Sequence, residues 1–177
     1  MSPMPEWLPP LSPLEDYGGD WESYVEALYA FFKKDFVENT VLYKGNKIVL
    51  KRHPVVKGKE ATFWHLISEG NIEETRSPNL RRCERIRWVK ALIDHCEELG
   101  IKVWENERKN EKRVCIWYEE VDYLVVLAKR KGYTVLWTAY LVTKKHTKEK
   151  MRKEYEAYKN ADAAHKDGIV TPSTRGR

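Results

Sequence analysis

Between Thr62 and Val89 the chain places a histidine among apolar residues (Phe63-Trp64-His65-Leu66). A polar link follows, and then four arginines in seven positions: Arg81, Arg82, Arg85 and Arg87. From Arg76 to Lys90 there are six basic residues and one acid, a net charge of +5, which equals that of the whole chain. Imidazole titrates near neutral pH and can give or take a proton. Arginine presents a planar fork that matches two phosphate oxygens and keeps its charge. Transesterification of a phosphodiester by a neighbouring hydroxyl needs two proton transfers and cations to hold the charge that builds on phosphate. His65 with Arg81 and Arg85 meets that minimum. Thr138 and Tyr140 of a later strand would add hydroxyls, Tyr140 as the second proton-transfer group. A histidine between aromatics also reads as a hydrogen-bonded core residue, and an arginine run as a solvated helix face.

These residues need elements to hold them. The helix after Ser77 or Asn79, with Pro78 in its first turn, should run to Gly100 and bury Ile86, Val89, Ile93, Cys96 and Leu99. Arg81, Arg85 and Trp88 share a neighbouring stripe at i, i+4 and i+7. Arg82 and Arg87 lie further round and read as solvent-facing charges, Glu84 pairing locally. Ala61–Ile67, which carries His65, is too brief a run to decide between strand and helix. Four extended segments follow at 101–107, 113–119, 123–130 and 133–143, and short turns make them antiparallel. Alternation in the last puts Val135, Trp137, Ala139 and Leu141 on one face. Leu136, Thr138, Tyr140 and Val142 fall on the other.

Upstream, Asp20 caps a helix whose Trp21, Val25, Leu28, Phe32 and Phe36 recur at helical spacing. Lys44-Gly45-Asn46 joins two short strands in a hairpin, and Pro54 stops the second. A final helix spans about 147–163 with Met151, Tyr155 and Tyr158 on its seam. Residues 1–19 hold five of the eight prolines and read as a Pro-rich arm. Residues 20–163 make one domain, and 164–177 a disordered tail. The expected fold is α+β, with helices packed on a four-stranded antiparallel sheet.

Composition narrows the function. A chain of 177 residues, 42% apolar and 33% charged, fits one domain with a real core. No apolar run reaches the roughly 20 residues of a membrane helix, and the start is not that of a signal peptide, so a cytoplasmic location is expected. Cys83, Cys96 and Cys115 are odd in number and form no CxxC pair, which agrees with a reducing compartment. Charge is polarised along the chain. Residues 1–38 carry eight acids against two bases, and 129–153 nine bases against Glu149 alone. A polyanion, nucleic acid by default, fits such a face. Lys57, Arg82, Lys129 and Arg130 are outlying substrate-binding candidates. No phosphate-binding loop, dinucleotide fingerprint, nucleophile elbow or metal-ligand spacing occurs, so neither cofactor nor metal is expected.

Three blocks carry a resemblance: FWHLIS around His65, the arginine-led RRCERIRWVKALI, and VVLAKRKGYTVLWTAYLVTKKHTKEKMRKEYEAY. In order and spacing they resemble a phage-borne family grouped with the barnase–EndoU–colicin–RelE ribonuclease fold, over about residues 40–160. The resemblance implies a helical start followed by a four-stranded antiparallel sheet, barnase/RelE-like. It also implies a metal-independent, toxin-like endoribonuclease using His65, Arg81 or Arg85, and Tyr140 with Thr138. RNA, held on a tRNA or ribosome or single-stranded, would be the partner, with a host or immunity protein as a further one. Two other classes remain. One is a non-catalytic nucleic-acid-binding protein. The other is a phage regulator that contacts a host protein through its acidic N-terminal segment.

Overall fold

The computed structural model describes residues 2–166, so most of the expected tail lies outside the described residues. After a 3-10 turn at Leu14–Tyr17, α1 (Trp21–Phe32) starts at Asp20, whose carboxylate accepts from the Ser23 amide at 2.9 Å. A π-helical turn, Lys33–Val37, extends α1 and buries Phe36. The strands β1 (Leu42–Tyr43) and β2 (Asn46–Val49) form the expected hairpin. Its turn residues Lys44 and Gly45 both have positive φ, 47° and 78°, as a tight primed turn requires.

Ala61–Ile67 is a helix, α2, and runs into β3 (Ser68–Glu69), which pairs with β4 (Ser77–Pro78). The long arginine-bearing helix is broken. Helix α3 (Leu80–Cys83) is capped by the Asn79 side chain on the Arg82 amide, and α4 (Ile86–Asp94) follows. Arg85 sits between them at φ −107°, ψ 12°, outside the helical region. Helix α4 ends six residues before Gly100, so Leu99 is fully exposed and Cys96 only half-buried. Trp88 and Leu92 complete the buried stripe in their place.

The meander is as expected: β5 (Ile101–Arg108), β6 (Glu111–Tyr118), β7 (Tyr123–Arg130) and β8 (Tyr133–Leu141), each antiparallel to the next. The sheet, however, is neither four-stranded nor purely antiparallel. Its order is β1-β2-β8-β7-β6-β5, six strands, because β2 adds to the β8 edge in parallel through Ile48↔Thr134 and Val49↔Val135. Short connections dictate antiparallel pairing only between sequence neighbours. The β2–β8 pair joins segments more than eighty residues apart and lies beyond that rule. Among the described residues, five α-helices pack on this mixed sheet.

Each face of the sheet is covered. On one side Val114, Ile116, Val125, Leu127, Leu136 and Ala139 meet α1, α2 and α4. On the other Trp104, Cys115, Trp117, Leu124 and Val126 meet Met151, Tyr155 and Tyr158 of α5 (Lys145–Lys166). A bulge resets the alternation of β8. Val126 pairs with Thr138 and Leu127 with Leu136, so Trp137 is the unpaired residue. Leu136 therefore joins Ala139 on the α1 side, while Trp137 joins Thr138 and Tyr140 on the α5 side. The expected division of faces holds only after Trp137.

The N-terminal arm is a strap packed on α4. Trp88 Nε1 donates to Pro9 O at 2.7 Å, Tyr24 Oη to Ser12 O at 2.6 Å and the Ser12 amide to Glu84 O at 2.9 Å. Trp7 stacks on His95 with centroids 4.6 Å apart. The indoles of Trp7 and Trp88 and hydrogen bonds to backbone carbonyls hold it.

Candidate functional site

The arginine that joins helix to sheet is Arg82. Its Nη1 donates to Ser68 O at 2.8 Å, to His65 O at 3.3 Å and to Thr138 Oγ1 at 3.4 Å. Its guanidinium carbon lies 5.3 Å from the centre of the Tyr140 ring. Arg76 backs it: Nη2 reaches Ser68 O at 2.7 Å and His65 O at 3.3 Å, and Nε reaches Ser68 Oγ at 3.0 Å. The last carbonyls of a helix lack intrahelical partners and carry the negative end of its dipole, so two guanidiniums are well placed there. Burial, with Arg76 alongside, lowers the pKa of Arg82 from its ordinary value.

Arg82 is thus the reverse of the solvent-facing charge that helical geometry suggested. The reason is the break at Arg85, which ends the continuous helix on which that placement rested. The same break separates the supposed Arg81–Arg85–Trp88 stripe. Arg81 is exposed. Arg85 donates from Nη1 to Glu84 at 2.5 Å and to Arg81 O at 3.0 Å, and lies over Trp88 at 5.1 Å. Glu84 pairs with Arg85, and neither Arg81 nor Arg85 lines a cavity with Tyr140.

The three bonds of the Arg82 side chain all leave from Nη1, so the Nε–Nη2 edge is not engaged in them. That edge is the fork that grips two oxygens of a phosphate. Across the α2 terminus, His65 Nε2 lies 2.9 Å from both oxygens of Glu73, the side chains 19% and 44% exposed. A carboxylate on one imidazole nitrogen sets ring orientation and tautomer, leaving the other nitrogen for proton transfer. The bond from His65 holds the Glu73 carboxyl below its ordinary range. Nothing in the residue types marked Glu73 as the partner; the short turn Glu73–Thr75 brings it back beside α2.

Thr138 and Tyr140 open onto a cavity of about 100 Å³ between the sheet and the start of α5, lined also by Asn106, Arg108, Arg113 and Lys150. It has room for a few waters or one phosphoryl group. Arg113 Nε and Asn106 Oδ1 are buried there without a hydrogen-bond partner among the described residues, an arrangement that favours a polar guest. Arg113 stacks over Trp137 at 5.5 Å. Glu154 closes one wall, accepting from Trp104 Nε1 and Asn106 Nδ2, each at 3.1 Å. Burial raises the pKa of the Tyr140 hydroxyl, and the Cys115 thiol beside it raises it further. Arg108, Arg82 and Arg113 pull it back.

The remaining candidates lie apart. Lys57 is exposed on a turn at φ 49°. Lys129 pairs with Glu105 at 2.5 Å and Arg130 with Glu111 at 3.0 Å, at the far end of β7. Among the described residues, no group of three or more His, Cys, Asp or Glu side chains is placed to hold a metal ion, and no helix is long and apolar enough to cross a membrane. Compared with protein-family models, curated proteins and solved structures, the chain has no match.

Proposed function

We propose that the protein is an endoribonuclease that cleaves through the RNA 2′-hydroxyl, with Arg82 as its central cation. One observation carries this reading. One guanidinium is bonded to the His65 carbonyl of α2 and to Thr138 of β8 and laid against Tyr140, and its Nε–Nη2 edge makes no hydrogen bond among the described residues. One cation is thus bonded to α2 through the His65 backbone carbonyl and to β8 through the Thr138 hydroxyl, and it is not one of the two the arginine spacing favoured.

In this scheme the Nε–Nη2 edge of Arg82 binds the scissile phosphate and offsets the charge that develops on it. His65, oriented by Glu73, takes the 2′-hydroxyl proton or protonates the leaving 5′-oxygen. Tyr140 serves the opposite transfer, and Arg113 and Lys150 neutralise the adjacent phosphate. The bond that forms is 2′-O–P and the bond that breaks is P–O5′; the products are a 2′,3′-cyclic phosphate and a free 5′-hydroxyl. The test is single-turnover cleavage by His65→Ala, Tyr140→Phe and the parent, with Tm measured in parallel. Each variant should lose at least about a hundredfold in rate, the range of one general acid or base, while remaining folded. Folded variants that cleave at the parent rate would remove those residues from the mechanism.

A second reading, RNA binding without cleavage, is favoured by the cations gathered at the β5–β6 and β7–β8 turns. RNA recovered intact after long incubation, with affinity falling steeply in salt, would establish it.

A further inference from the structure

The turns β5–β6 and β7–β8 lie side by side at one end of the sheet, because β6 and β7 are neighbours with Arg113 opposite Ala128. Asn110, Glu111, Lys112, Lys129, Arg130 and Lys131 line a surface depression of about 660 Å³ there, and Arg108 and Lys109 belong to the same β5–β6 turn region. Arg108, Lys129 and Arg130 have acidic partners in Glu154, Glu105 and Glu111. Lys109, Lys112 and Lys131 are exposed and form no ion pair among the described residues. Tyr133, 45% exposed, stands opposite Arg130 in the same turn and offers a ring face. Cations that remain unneutralised beside an exposed aromatic are the recurring surface for a single-stranded backbone with stacked bases.

Arg108 and Arg113, which line the cavity at Tyr140, also lie at the turn end of β5 and β6, so the cavity and the depression lie toward the same end of the sheet. From Val126, opposite Thr138, to Arg130 at the tip is four residues, about 14 Å at the strand rise. That distance is spanned by roughly two or three extended nucleotides of a splayed single strand.

We infer that the paired hairpin tips are a track for the RNA backbone two to three nucleotides from the scissile phosphate, with Lys109, Lys112 and Lys131 as its phosphate contacts. The inference rests on the ribonuclease reading and names its substrate class: single-stranded RNA long enough to reach from the cavity to the tips. Dinucleotides and trinucleotides would miss the track.

The experiment compares parent and a Lys109→Gln/Lys112→Gln/Lys131→Gln variant. Binding is read by fluorescence anisotropy with single-stranded 2′-O-methyl RNA of about three and about twelve nucleotides, whose blocked 2′-oxygen prevents cleavage. The parent should hold the longer strand at least about tenfold more tightly at low salt, and the variant should lose that preference. Its salt slope on the longer strand should be shallower by about 2, three contacts at about 0.7 each. Equal binding of both lengths by the parent, or an unchanged length preference in the variant, overturns the track. The two readings separate on unmodified RNA. A track without cleavage disposes of the nuclease, and cleavage with one KM for short and long strands disposes of the track.

Discussion

Replacing Arg82 by Met keeps an apolar stem and removes the guanidinium, so it isolates what that group contributes to the fold. Its strongest bond is the 2.8 Å donation to Ser68 O; those to His65 O and Thr138 Oγ1, at 3.3 and 3.4 Å, are near the limit and count for less. A hydrogen bond from a charged donor contributes about 1.5–3 kcal/mol, and a half-buried guanidinium against a tyrosine ring about 1 kcal/mol. Arg76 donates to the same two carbonyls, so neither is left without a partner. The sum is therefore held to about 2–3 kcal/mol. For a chain of this length that is a fall of about 5–10 °C in Tm, read by urea and thermal unfolding. Because Arg76 and Arg82 back each other up, the Arg76→Met/Arg82→Met pair should lose more than the sum of the singles. Exposed Arg81→Met is the control and should stay within about 0.5 kcal/mol of the parent. If Arg82→Met unfolds together with Arg81→Met, Arg82 is not the tie between helix and sheet.

Other consequences are directly measurable. Tyr24→Phe removes the hydroxyl that donates to Ser12 O and should cost about 1 kcal/mol; a strap that merely rests on the surface would show no loss in urea unfolding. Glu73 has a depressed pKa, so its stabilisation is complete above the ordinary value of 4.5 and is lost as pH falls below it. Glu73→Gln should flatten the fall of Tm between about pH 5 and 3, and an unchanged curve would separate Glu73 from His65. Burial pushes the Cys83 and Cys115 thiols up to about 12, whereas Cys96 is only half-buried. A thiol reagent should therefore label Cys96 first in the native protein, and equal labelling of all three would contradict that packing.

Local signals carried the local elements. Asp20 before an aromatic helical repeat, Lys44-Gly45 between two short strands, and turn residues between four extended runs each marked a feature that is present. The failures came where long-range packing decides. Nothing around Ile48 says that it will pair with Thr134, so the parallel addition that makes the sheet six-stranded was hidden. Strict alternation misplaced Leu136 and Trp137 because a bulge leaves no mark in residue type. The arginine helix read as one piece because no Gly or Pro interrupts it; Arg85 breaks it while its side chain pairs with Glu84 and covers Trp88. That break misdirected the choice among the arginines. Thr138 and Tyr140 share a face as expected, yet the arginine of the 81–87 run that reaches them is Arg82. Glu73 was missed because a carboxylate in a polar link carries no spacing signal of its own.

The product's chemistry is the most direct test of cleavage through the 2′-hydroxyl. Parent protein incubated with single-stranded RNA in excess EDTA should release fragments ending in a 2′,3′-cyclic phosphate, identified by mass. Arg82→Lys, which keeps the charge and loses the fork, should slow that release by at least about tenfold. Intact RNA under those conditions, or fragments bearing 5′-phosphates and free 3′-hydroxyls, would contradict the mechanism.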